Sequence, residues 1–577
     1  MADRLLHRLL PASEWLQSYR KGDALSDAMA ALIVTVMLIP QSLAYAMLAG
    51  LPAQVGLYAS MLPLLGYALF GSSRTLAVGP VAVASLMTAA AISKVAPPGS
   101  DQYLAAAIVL ALLSGLILIA MAALRLGWLS NLLSHPVIAG FITAAGILIA
   151  TSQLKHLLGV PAGGHTLIDI VQELTPQLVH THYPTLAIGL GTLLFLLWSR
   201  SHLKPLLQRL SLPELAVDLL TRAGPALAVV ASTIIVAHWS LDQSGVRVVG
   251  EVPAGLPGLS LPQFDIGLWQ TLLIPALLIS LIGFVESVSV AQTLAARRRQ
   301  RINPNHELAG LGAANIGSAL SGGLPVTGGF ARSVVNFDAG AVTPMAGVFT
   351  AIAIGVTAIL LTPWFTFLPN ATLAATIIVA VLSLIDFAII RRTWRYSRTD
   401  FSAMALTMIG VFLVGVEAGV VIGIGASLLL FLWRTSQPHV AVVGQVPGTE
   451  HFRNMLRHEV ITSPSVLSMR IDESLYFANA RRLEDTVYNA ALQRPGTRHV
   501  VLQCSAVNLI DASALESLES LSQRLQSAGI CLHLAEVKGP VMDALQAVDF
   551  TEHLSGNIYL SQYAALADLD PTSLSVG

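Results

Sequence analysis

Four polar side chains lie in stretches of sequence that are otherwise apolar enough to be inside a membrane. Gln41 and Tyr45 are four residues apart, so they share one face of a helix, and both can donate hydrogen bonds to the oxygens of an anion. Glu286 is the one acidic residue near the middle of an otherwise uncharged apolar run. Arg332 carries a fixed charge that could hold a planar or tetrahedral oxyanion. These residue types predict an anion site with a carboxyl group beside it.

Each of these residues also has a purely structural interpretation. Gln41 and Tyr45 could hydrogen-bond to neighbouring helices. Glu286 could be a permanently neutral carboxyl group, or it could pair with Arg332 and hold two helices together. A carboxylate inside a membrane is costly, so we expect Glu286 to face the protein interior and treat it as a candidate functional residue. An ion pair that opens and closes with ligand would combine both interpretations of Arg332.

Arg332 belongs to a stretch, Gly322–Asn336, whose glycines and proline cannot form a good continuous transmembrane helix. We expect Val326 and Thr327 to be extended and a short helix to begin near Gly329. Irregular backbone at membrane depth lines a cavity or is buried in protein, and a helix that begins there points free amide groups and its positive dipole end inwards. The stretch therefore predicts an anion site.

A second stretch, residues 74–86, has the same pattern much earlier in the chain. Gly79 and Pro80 end an extended piece, and Pro80 suits the first turn of a helix. The alternative is a pair of simple kinks, because Gly and Pro are frequent in membrane helices. Two interrupted segments in corresponding halves of a hydrophobic chain indicate a transporter built from inverted repeats.

The composition restricts the class of protein. Of the 577 residues, 54% are hydrophobic and 11% are charged, and the mean hydropathy is +0.70, whereas soluble proteins average roughly 25% charged residues. The chain is therefore predicted to cross a membrane many times, without a cleavable signal peptide. A net charge of −1 argues against nucleic acid as a partner. Cys504 and Cys531 lack metal-ligand spacing, and with no phosphate-binding loop or nucleophile–base motif we expect no metal, no cofactor and no enzymatic activity.

The apolar runs set the predicted domain organisation. Residues 1–24 resemble a basic amphipathic segment at the cytoplasmic membrane surface. A transport domain follows over residues 25–436, with seven runs in a first repeat at about 25–245 and seven in a second at about 265–436. An odd number in each half leaves the halves inverted. The concentrated basic loops fall after even-numbered runs, on the side of the N-terminus; they are residues 200–222, 297–301 and 391–398.

Residues 437–577 are more polar and are predicted to form a separate cytoplasmic domain. Strands are expected at 465–471, 498–503 and 530–535, and helices at 480–492, 513–527 and 540–548. Strands that alternate with helices predict an α/β layer. Asp511 or Ser513 could cap a helix, which we favour over a regulatory role for Ser513.

At these motifs the whole chain resembles the sulfate permease (SulP) family of anion transporters. The residues that carry the resemblance are Pro40–Ala46, the Gly79–Pro80 turn, Gly283–Ala291 and Gly328–Ser333. The tail resembles the family's STAS domain, including Leu475–Asn479. The resemblance implies about fourteen transmembrane segments in a seven-plus-seven inverted repeat like that of uracil permeases, a homodimer, and an elevator-like motion of one domain past another.

By motif match, the resemblance also implies a set of site residues. Glu286 would couple protons, and Ser513 matches the phosphorylated position of soluble anti-sigma factor antagonists, although transporter tails of this kind need not be phosphorylated. At Ala331, where many relatives have Ser, this sequence has no side-chain hydroxyl group. The residues expected around the anion are Gln41, Tyr45, Val81, Ala82, Phe330, Ala331 and Arg332.

The leading functional hypothesis is proton-coupled uptake of an inorganic oxyanion, sulfate first, across the inner (plasma) membrane. Sodium-coupled uptake of bicarbonate or a dicarboxylate is the close alternative. A sodium site needs several oxygen ligands beside the carboxylate, and Ser287 and Ser289 lie on differing helical faces, so Glu286 favours protons. An anion channel, exchanger or voltage-responsive motor is a further alternative.

Overall fold

The computed structural model describes residues 10–131, 134–210, 213, 217, 220–221, 223–262 and 264–574. The chain divides into two compact units, Met1–Ser427 and Leu428–Gly577. The first, called the membrane unit here, is helical and contains the apolar runs. The second, called the C-terminal unit, is built mainly from strands that alternate with helices. This is the predicted fold class, a polytopic helical membrane protein with a C-terminal α/β domain.

The first half of the membrane unit is built mainly from helices. Its helices are α1 (Ala12–Gln17), α2 (Lys21–Leu48), α3 (Ala53–Tyr58), α4 (Leu62–Phe70), α5 (Ala82–Ile92), α6 (Asp101–Ala123), α7 (His135–Leu158), α8 (Leu167–Gln177), α9 (Tyr183–Trp198), α10 (Lys204–Arg209) and α11 (Gly224–His238), with strand β1 (Val78–Gly79) before α5. Short 3-10 turns form at Leu126–Asn131 and Leu178–His180, and a π turn forms at Ser199–Leu203.

The second half has a corresponding order. Its helices are α12 (Ile266–Arg297), α13 (Pro304–Leu320), α14 (Phe330–Asp338), α15 (Met345–Leu360), α16 (Asn370–Leu382), α17 (Phe387–Tyr396), α18 (Arg398–Leu413) and α19 (Val416–Thr435), with strand β2 (Thr327–Gly328) before α14 and a 3-10 turn at Thr362–Phe365. Helix α19 continues into the C-terminal unit.

Within the described residues, eight helical segments of 18 to 32 residues are long and apolar enough to cross a membrane. Ala82–Ile92, Gly224–His238 and Met345–Leu360 are apolar but shorter. The seven-plus-seven count stays a prediction, because several of the predicted runs are too short to be judged by length.

Small residues let the two halves of the membrane unit interlock. Helix α6 of the first half packs on α13 of the second, and a Cβ added at Gly115 would lie 2.9 Å from the carbonyl oxygen of Gly312. Helix α4 approaches α13 equally closely, since a Cβ at Gly66 would lie 2.8 Å from the carbonyl oxygen of Ala313. Close backbone approach is how membrane helices gain packing energy where lipid supplies no hydrophobic drive.

The C-terminal unit contains a six-stranded sheet in the order β4-β3-β5-β6-β7-β8. Strands β5 to β8 pair in parallel, and β3 pairs antiparallel with both β4 and β5. The predicted strands and helices form, and β3, β4, β8 and the last two helices, α23 and α24, were not predicted. The elements are β3 (Val440–Gln445), β4 (Phe452–Asn454), β5 (Val466–Ile471), α20 (Ala480–Leu492), β6 (His499–Gln503), α21 (Ala512–Ser527), β7 (Cys531–Ala535), α22 (Gly539–Gln546), α23 (Phe550–His553), β8 (Ile558–Tyr559) and α24 (Gln562–Leu569).

Candidate anion-binding site

The two interrupted stretches meet inside the membrane unit. Strands β1 and β2 pair antiparallel, with Val78 opposite Gly328 and Gly79 opposite Thr327. Each strand is followed at once by a short helix, α5 or α14, so the predicted extended-then-helical pattern is confirmed in both stretches. One detail was wrong: Pro80 precedes the N-cap of α5 and is not in its first turn. Its fixed φ suits the extended backbone there, so the helix begins later.

Both short helices begin with free backbone amides. The N-cap residues are Val81 for α5 and Gly329 for α14, and neither helix has a side-chain cap hydrogen bond. The first N–H groups of a helix have no partner within the helix, and its dipole places partial positive charge at the same end. Two such ends follow the paired strands, so the backbone alone makes this place favourable for an anion.

Buried side chains hold the extended backbone of β2 in place. Asn315 donates from Nδ2 to the carbonyl oxygen of Val326 and accepts from the Val326 N–H, both at 2.9 Å. The Ser287 hydroxyl donates to the Gly283 carbonyl oxygen at 2.6 Å and accepts from the Gly328 N–H at 2.9 Å. These contacts satisfy polar backbone groups that a broken helix leaves unpaired.

Arg332 is buried beside the paired strands β1 and β2, with 2% of its surface exposed. Neither terminal nitrogen, Nη1 nor Nη2, has a hydrogen-bond partner in the described part of the chain. Glu286 interacts with Arg332 through space without an ion pair to it. The alternative in which Arg332 simply pairs with Glu286 is therefore wrong for this conformation. A buried guanidinium with free donors is costly unless an anion accepts from it.

Glycine makes the space for this guanidinium. A Cβ added at Gly329 would lie 2.8 Å from Nε and 2.9 Å from Nη2 of Arg332. A Cβ added at Gly79 would lie 2.6 Å from Nη1. The guanidinium thus lies against both interrupted stretches, which explains why each has glycine next to its short helix.

The structure brings most of the other predicted substrate residues to the same region. Gln41 and Tyr45, on helix α2, are each 7% exposed, and in the described part of the chain neither side chain hydrogen-bonds to a neighbouring helix. Tyr45 interacts electrostatically with both Arg332 and Glu286. At the start of α5, Val81 and Ala82 are buried.

The start of α14 has a different exposure. Phe330 is 47% exposed and Ala331 is also exposed, whereas Arg332, the next residue, is buried. Ala331 presents only a methyl group and its N–H, so any hydrogen bond from this position must come from the backbone.

Glu286 borders a crevice whose other lining residues are apolar. Around it the helices α7, α12 and α19 contribute Val137, Ile138, Phe141, Ile142, Ile282, Val285, Val420 and Ile424. Such surroundings favour a protonated carboxyl group over a carboxylate. Ser287 has its hydroxyl engaged with the backbone and with Thr327, and Ser289 is exposed on another face of the helix. Neither serine offers a spare oxygen beside Glu286.

Two buried carboxyl groups near helix ends were missed. Glu307 accepts from the Tyr67 hydroxyl at 2.7 Å, from the N–H and hydroxyl of Ser72 and from the N–H of Ser73. Asp27 accepts from the N–H groups of Val342 and Thr343 and from the Thr343 hydroxyl, at 2.5 to 3.1 Å. Acidic residues within apolar runs were the available signal.

Two further charged residues hold helix ends. Arg298 donates to the carbonyl oxygens of Phe337 and Ala341, so it satisfies the C-terminal end of α14. Glu417, at the start of α19, forms a 2.6 Å ion pair with Lys94. None of these four residues hydrogen-bonds to the terminal nitrogens of Arg332.

In the C-terminal unit, Asp511 caps helix α21. Its carboxylate accepts from the Ala514 N–H at 2.8 Å and from the Phe477 N–H at 2.8 Å. Ser513 lies in the first turn and is exposed. The predicted cap is therefore Asp511, and a regulatory role for Ser513 stays a prediction.

Paired broken helices with free amide ends, in a multi-pass helical unit followed by an α/β domain, define a membrane transport protein. Comparison with known families gives the same class. The sulfate permease family matches residues 25–407, and the STAS domain matches residues 457–565. The chain belongs to the sulfate permease family and has a C-terminal STAS domain.

Relatives agree with this assignment, and solved structures share the fold. The chain is 37% identical over 541 residues to "Sulfate transporter 4.1, chloroplastic" of Arabidopsis thaliana, covering 91% of this chain and 77% of the relative. It is 32% identical over 554 residues to "Probable sulfate transporter MT1781" of Mycobacterium tuberculosis, covering 94% and 95%. The fold matches a structure of SLC26A9 with a TM-score of 0.88 at 22% identity, over 99% of this chain and 94% of that one. It also matches the transmembrane domain of a cyanobacterium bicarbonate transporter, BicA, with a TM-score of 0.59 at 24% identity, over 71% and 98%.

Proposed function

We propose that this protein is a secondary active transporter that takes up sulfate together with protons. The observation that carries the proposal is the buried Arg332 guanidinium, whose two terminal nitrogens lack partners beside two uncapped helix N-termini. This arrangement suits a divalent oxyanion, because a fixed cation and several backbone N–H groups can all donate to its oxygens. The names of the related proteins favour sulfate as that oxyanion.

The substrate contacts follow from the positions of the side chains. Arg332 supplies charge, the amide of Gln41 and the hydroxyl of Tyr45 supply further donors, and the remaining donors are backbone N–H groups at the starts of α5 and α14. Val81, Ala82, Phe330 and Ala331 therefore contribute mainly backbone and apolar surface. A site of this kind discriminates anions by charge and by the number of acceptor oxygens.

Glu286 is the proposed proton carrier. An apolar crevice disfavours the charged form of a carboxyl group, and an arriving anion disfavours the carboxylate further by repulsion. Proton and sulfate binding would then favour each other, and this coupling is reciprocal in the two binding equilibria. Sodium coupling is disfavoured because a sodium site needs several oxygen ligands beside the carboxylate, whereas the Ser287 hydroxyl is engaged with the backbone and with Thr327 and Ser289 lies exposed on another face of the helix.

The remaining parts of the proposal concern assembly and placement. The domains are 1–24, 25–436 and 437–577, the protein is a homodimer in the plasma (inner) membrane, and the N-terminus and the STAS domain are cytoplasmic, as the basic loops favour. Transport proceeds by an elevator-like movement of the site across the membrane. The likeness to the BicA fold makes bicarbonate the second candidate substrate to be tested, although it concerns the fold alone.

Uptake into proteoliposomes tests this function. Purified protein should accumulate radiolabelled sulfate when an inward proton gradient is imposed, without sodium or ATP. Glu286→Gln imitates the protonated group, so it should keep sulfate binding and sulfate–sulfate exchange but lose accumulation driven by the gradient. Asp101→Asn, which neutralises an exposed acid at the start of α6, is the matched control and should behave like the parent.

Two outcomes would oppose the proposal in different ways. Gradient-driven accumulation by Glu286→Gln at the parental level would remove Glu286 as the coupling group. Accumulation of bicarbonate but not sulfate, dependent on sodium, would replace the substrate and the coupling ion together.

A further inference from the structure

The C-terminal unit contains an open basic cleft of about 480 Å³, separate from the transport site. It is called the basic cleft here and is lined by His439, Arg453, Asn454, Arg457, His458, Arg470 and Asp472. Strands β3, β4 and β5, which pair antiparallel at one edge of the sheet, bring these residues together. Three arginines and two histidines face a single acidic side chain across this cleft.

The single acid is already neutralised. Asp472 accepts from Arg470 at 2.5 and 3.0 Å and contacts His439 Nδ1 at 2.7 Å. Partial burial opposes ionisation, but the hydrogen bonds from Arg470 and His439 outweigh it and lower the pKa of Asp472. The acid is therefore a carboxylate that balances Arg470. The charges of Arg453 and Arg457 remain for an external ligand.

Arg453 and Arg457 are presented towards solvent by a tight turn. The Asn454 carbonyl oxygen accepts from the N–H groups of Arg457 and His458 at 3.0 and 3.1 Å, and the Asn454 side chain accepts from the Leu456 N–H at 2.8 Å. Both arginines are exposed, and neither forms an ion pair with another described residue. Guanidinium groups converging in this way suit the oxygens of a phosphate group.

The same turn exposes apolar side chains. Leu456 is 86% exposed and Met455 is 47% exposed, between the two arginines. A large apolar side chain in water gains nothing unless it enters another apolar phase, and basic residues flanking such a side chain are typical of a segment that contacts anionic membrane.

The basic cleft begins only a few positions in sequence after α19, a helix long and apolar enough to cross a membrane. Helix α19 ends at Thr435, and Trp433, 59% exposed, lies two residues before that end, where interfacial tryptophans are common. His439 is four positions after Thr435, so the cleft begins within roughly 14 Å of the helix end even if the chain is fully extended. Screening acts over about 10 Å, so the surface charge of anionic lipid still reaches part of it.

We propose that the basic cleft binds a phosphate group, held by Arg453 and Arg457, and that an anionic phospholipid headgroup supplies it while Leu456 enters the acyl region. Binding would attach the edge of the sheet to the bilayer surface beside α19. The activity of the transport site does not enter this proposal, so the two can fail independently.

Hydrogen–deuterium exchange on the full-length protein in nanodiscs tests the proposal. Raising the fraction of phosphatidylglycerol in phosphatidylcholine should slow exchange in the turn, residues 453–458. Each arginine near an anionic surface contributes a factor of about five in binding, so Arg453→Ala with Arg457→Ala should weaken it roughly 25-fold and abolish the protection. Arg481→Ala with Arg482→Ala removes two exposed arginines of α20 and should leave it intact.

A second arm separates lipid from soluble ligand. Inorganic phosphate is added to nanodiscs that contain only phosphatidylcholine, with Leu456→Ser alongside the parent. Protection by phosphatidylglycerol that Leu456→Ser loses supports the lipid headgroup, whereas protection by phosphate alone, unchanged in Leu456→Ser, assigns the cleft to a soluble phosphate. No protection by either, or equal protection in the double arginine variant, overturns the proposal. Exchange in strand Val466–Ile471 reports whether each variant is folded.

Discussion

Replacing Gly329 by Ala tests whether the position of the Arg332 guanidinium determines anion affinity. The added Cβ would lie 2.8 Å from Nε and 2.9 Å from Nη2, where an ordinary contact is about 3.4 Å. The guanidinium must then shift by roughly 0.5 Å, because it is the flexible end of a side chain and the backbone is not. The backbone conformation is compatible with Ala, because Gly329 has φ −90° and ψ 127°. The hydrogen bond from its N–H to the Ala77 carbonyl oxygen is unaffected by an added Cβ.

The expected cost falls on binding and spares the fold. A hydrogen bond to a charged group contributes about 1.5 to 3 kcal/mol, so losing one by displacement should weaken sulfate binding by about ten-fold to a hundred-fold. Replacing Gly by Ala at a compatible backbone position stabilises a protein by about 0.4 to 1 kcal/mol, because it lowers the conformational entropy of the unfolded chain. Lower affinity combined with equal or higher thermal stability is therefore the expected signature.

The assay is isothermal titration of the purified protein with sulfate, accompanied by thermal unfolding. Gly191→Ala is the matched control, since a Cβ there meets nothing within 4 Å and Gly191 lies on helix α9. Parental affinity in a folded Gly329→Ala protein would show that the guanidinium does not contact the anion. Equal weakening in Gly191→Ala would show that the effect is not local.

Two other predictions concern stability. Glu307→Ala leaves the donors of Tyr67, Ser72 and Ser73 without their acceptor, and each buried group left unpaired costs roughly 1 to 3 kcal/mol. The membrane unit should therefore unfold at a clearly lower temperature in scanning fluorimetry. An unchanged unfolding midpoint would contradict the structural role of Glu307. Burial, together with the neighbouring His499, lowers the pKa of His533 from 6.5 to about 4, so the fold favours the neutral ring. The C-terminal unit should therefore lose stability as pH falls below about 6.5. His533→Gln should flatten that dependence in hydrogen exchange of strand β7, and the same slope in the variant would exclude His533 as its source.

The broken helices were predictable because their causes are local. Glycine and proline exclude a continuous helix wherever they fall, so the extended residues at Thr327 and the helix after Gly329 follow from the sequence alone. The register of the two strands is not local. It pairs Gly79 with Thr327, residues that lie far apart in the chain, through contacts that no periodicity encodes.

The residues of the candidate site were predictable from their types, but the contacts that each of them makes were much less so. Arg332 and Glu286 stood out because charge is rare in apolar sequence, yet whether they form an ion pair depended on where the guanidinium packs against two glycines. Glu307 was missed for a related reason. Tyr67 and Ser72, which donate hydrogen bonds to its carboxylate, lie more than two hundred positions earlier in the chain, so its role is visible only after folding.

The central claim is that the anion binds beside the paired strands, on the free guanidinium of Arg332. The most direct test is the dissociation constant of sulfate for Arg332→Ala measured against the parent, in full-length protein whose thermal unfolding shows it to be folded. Loss of a charge-assisted hydrogen bond predicts binding weaker by about one to two decades. Sulfate binding at the parental affinity in the folded Arg332→Ala protein would contradict the claim.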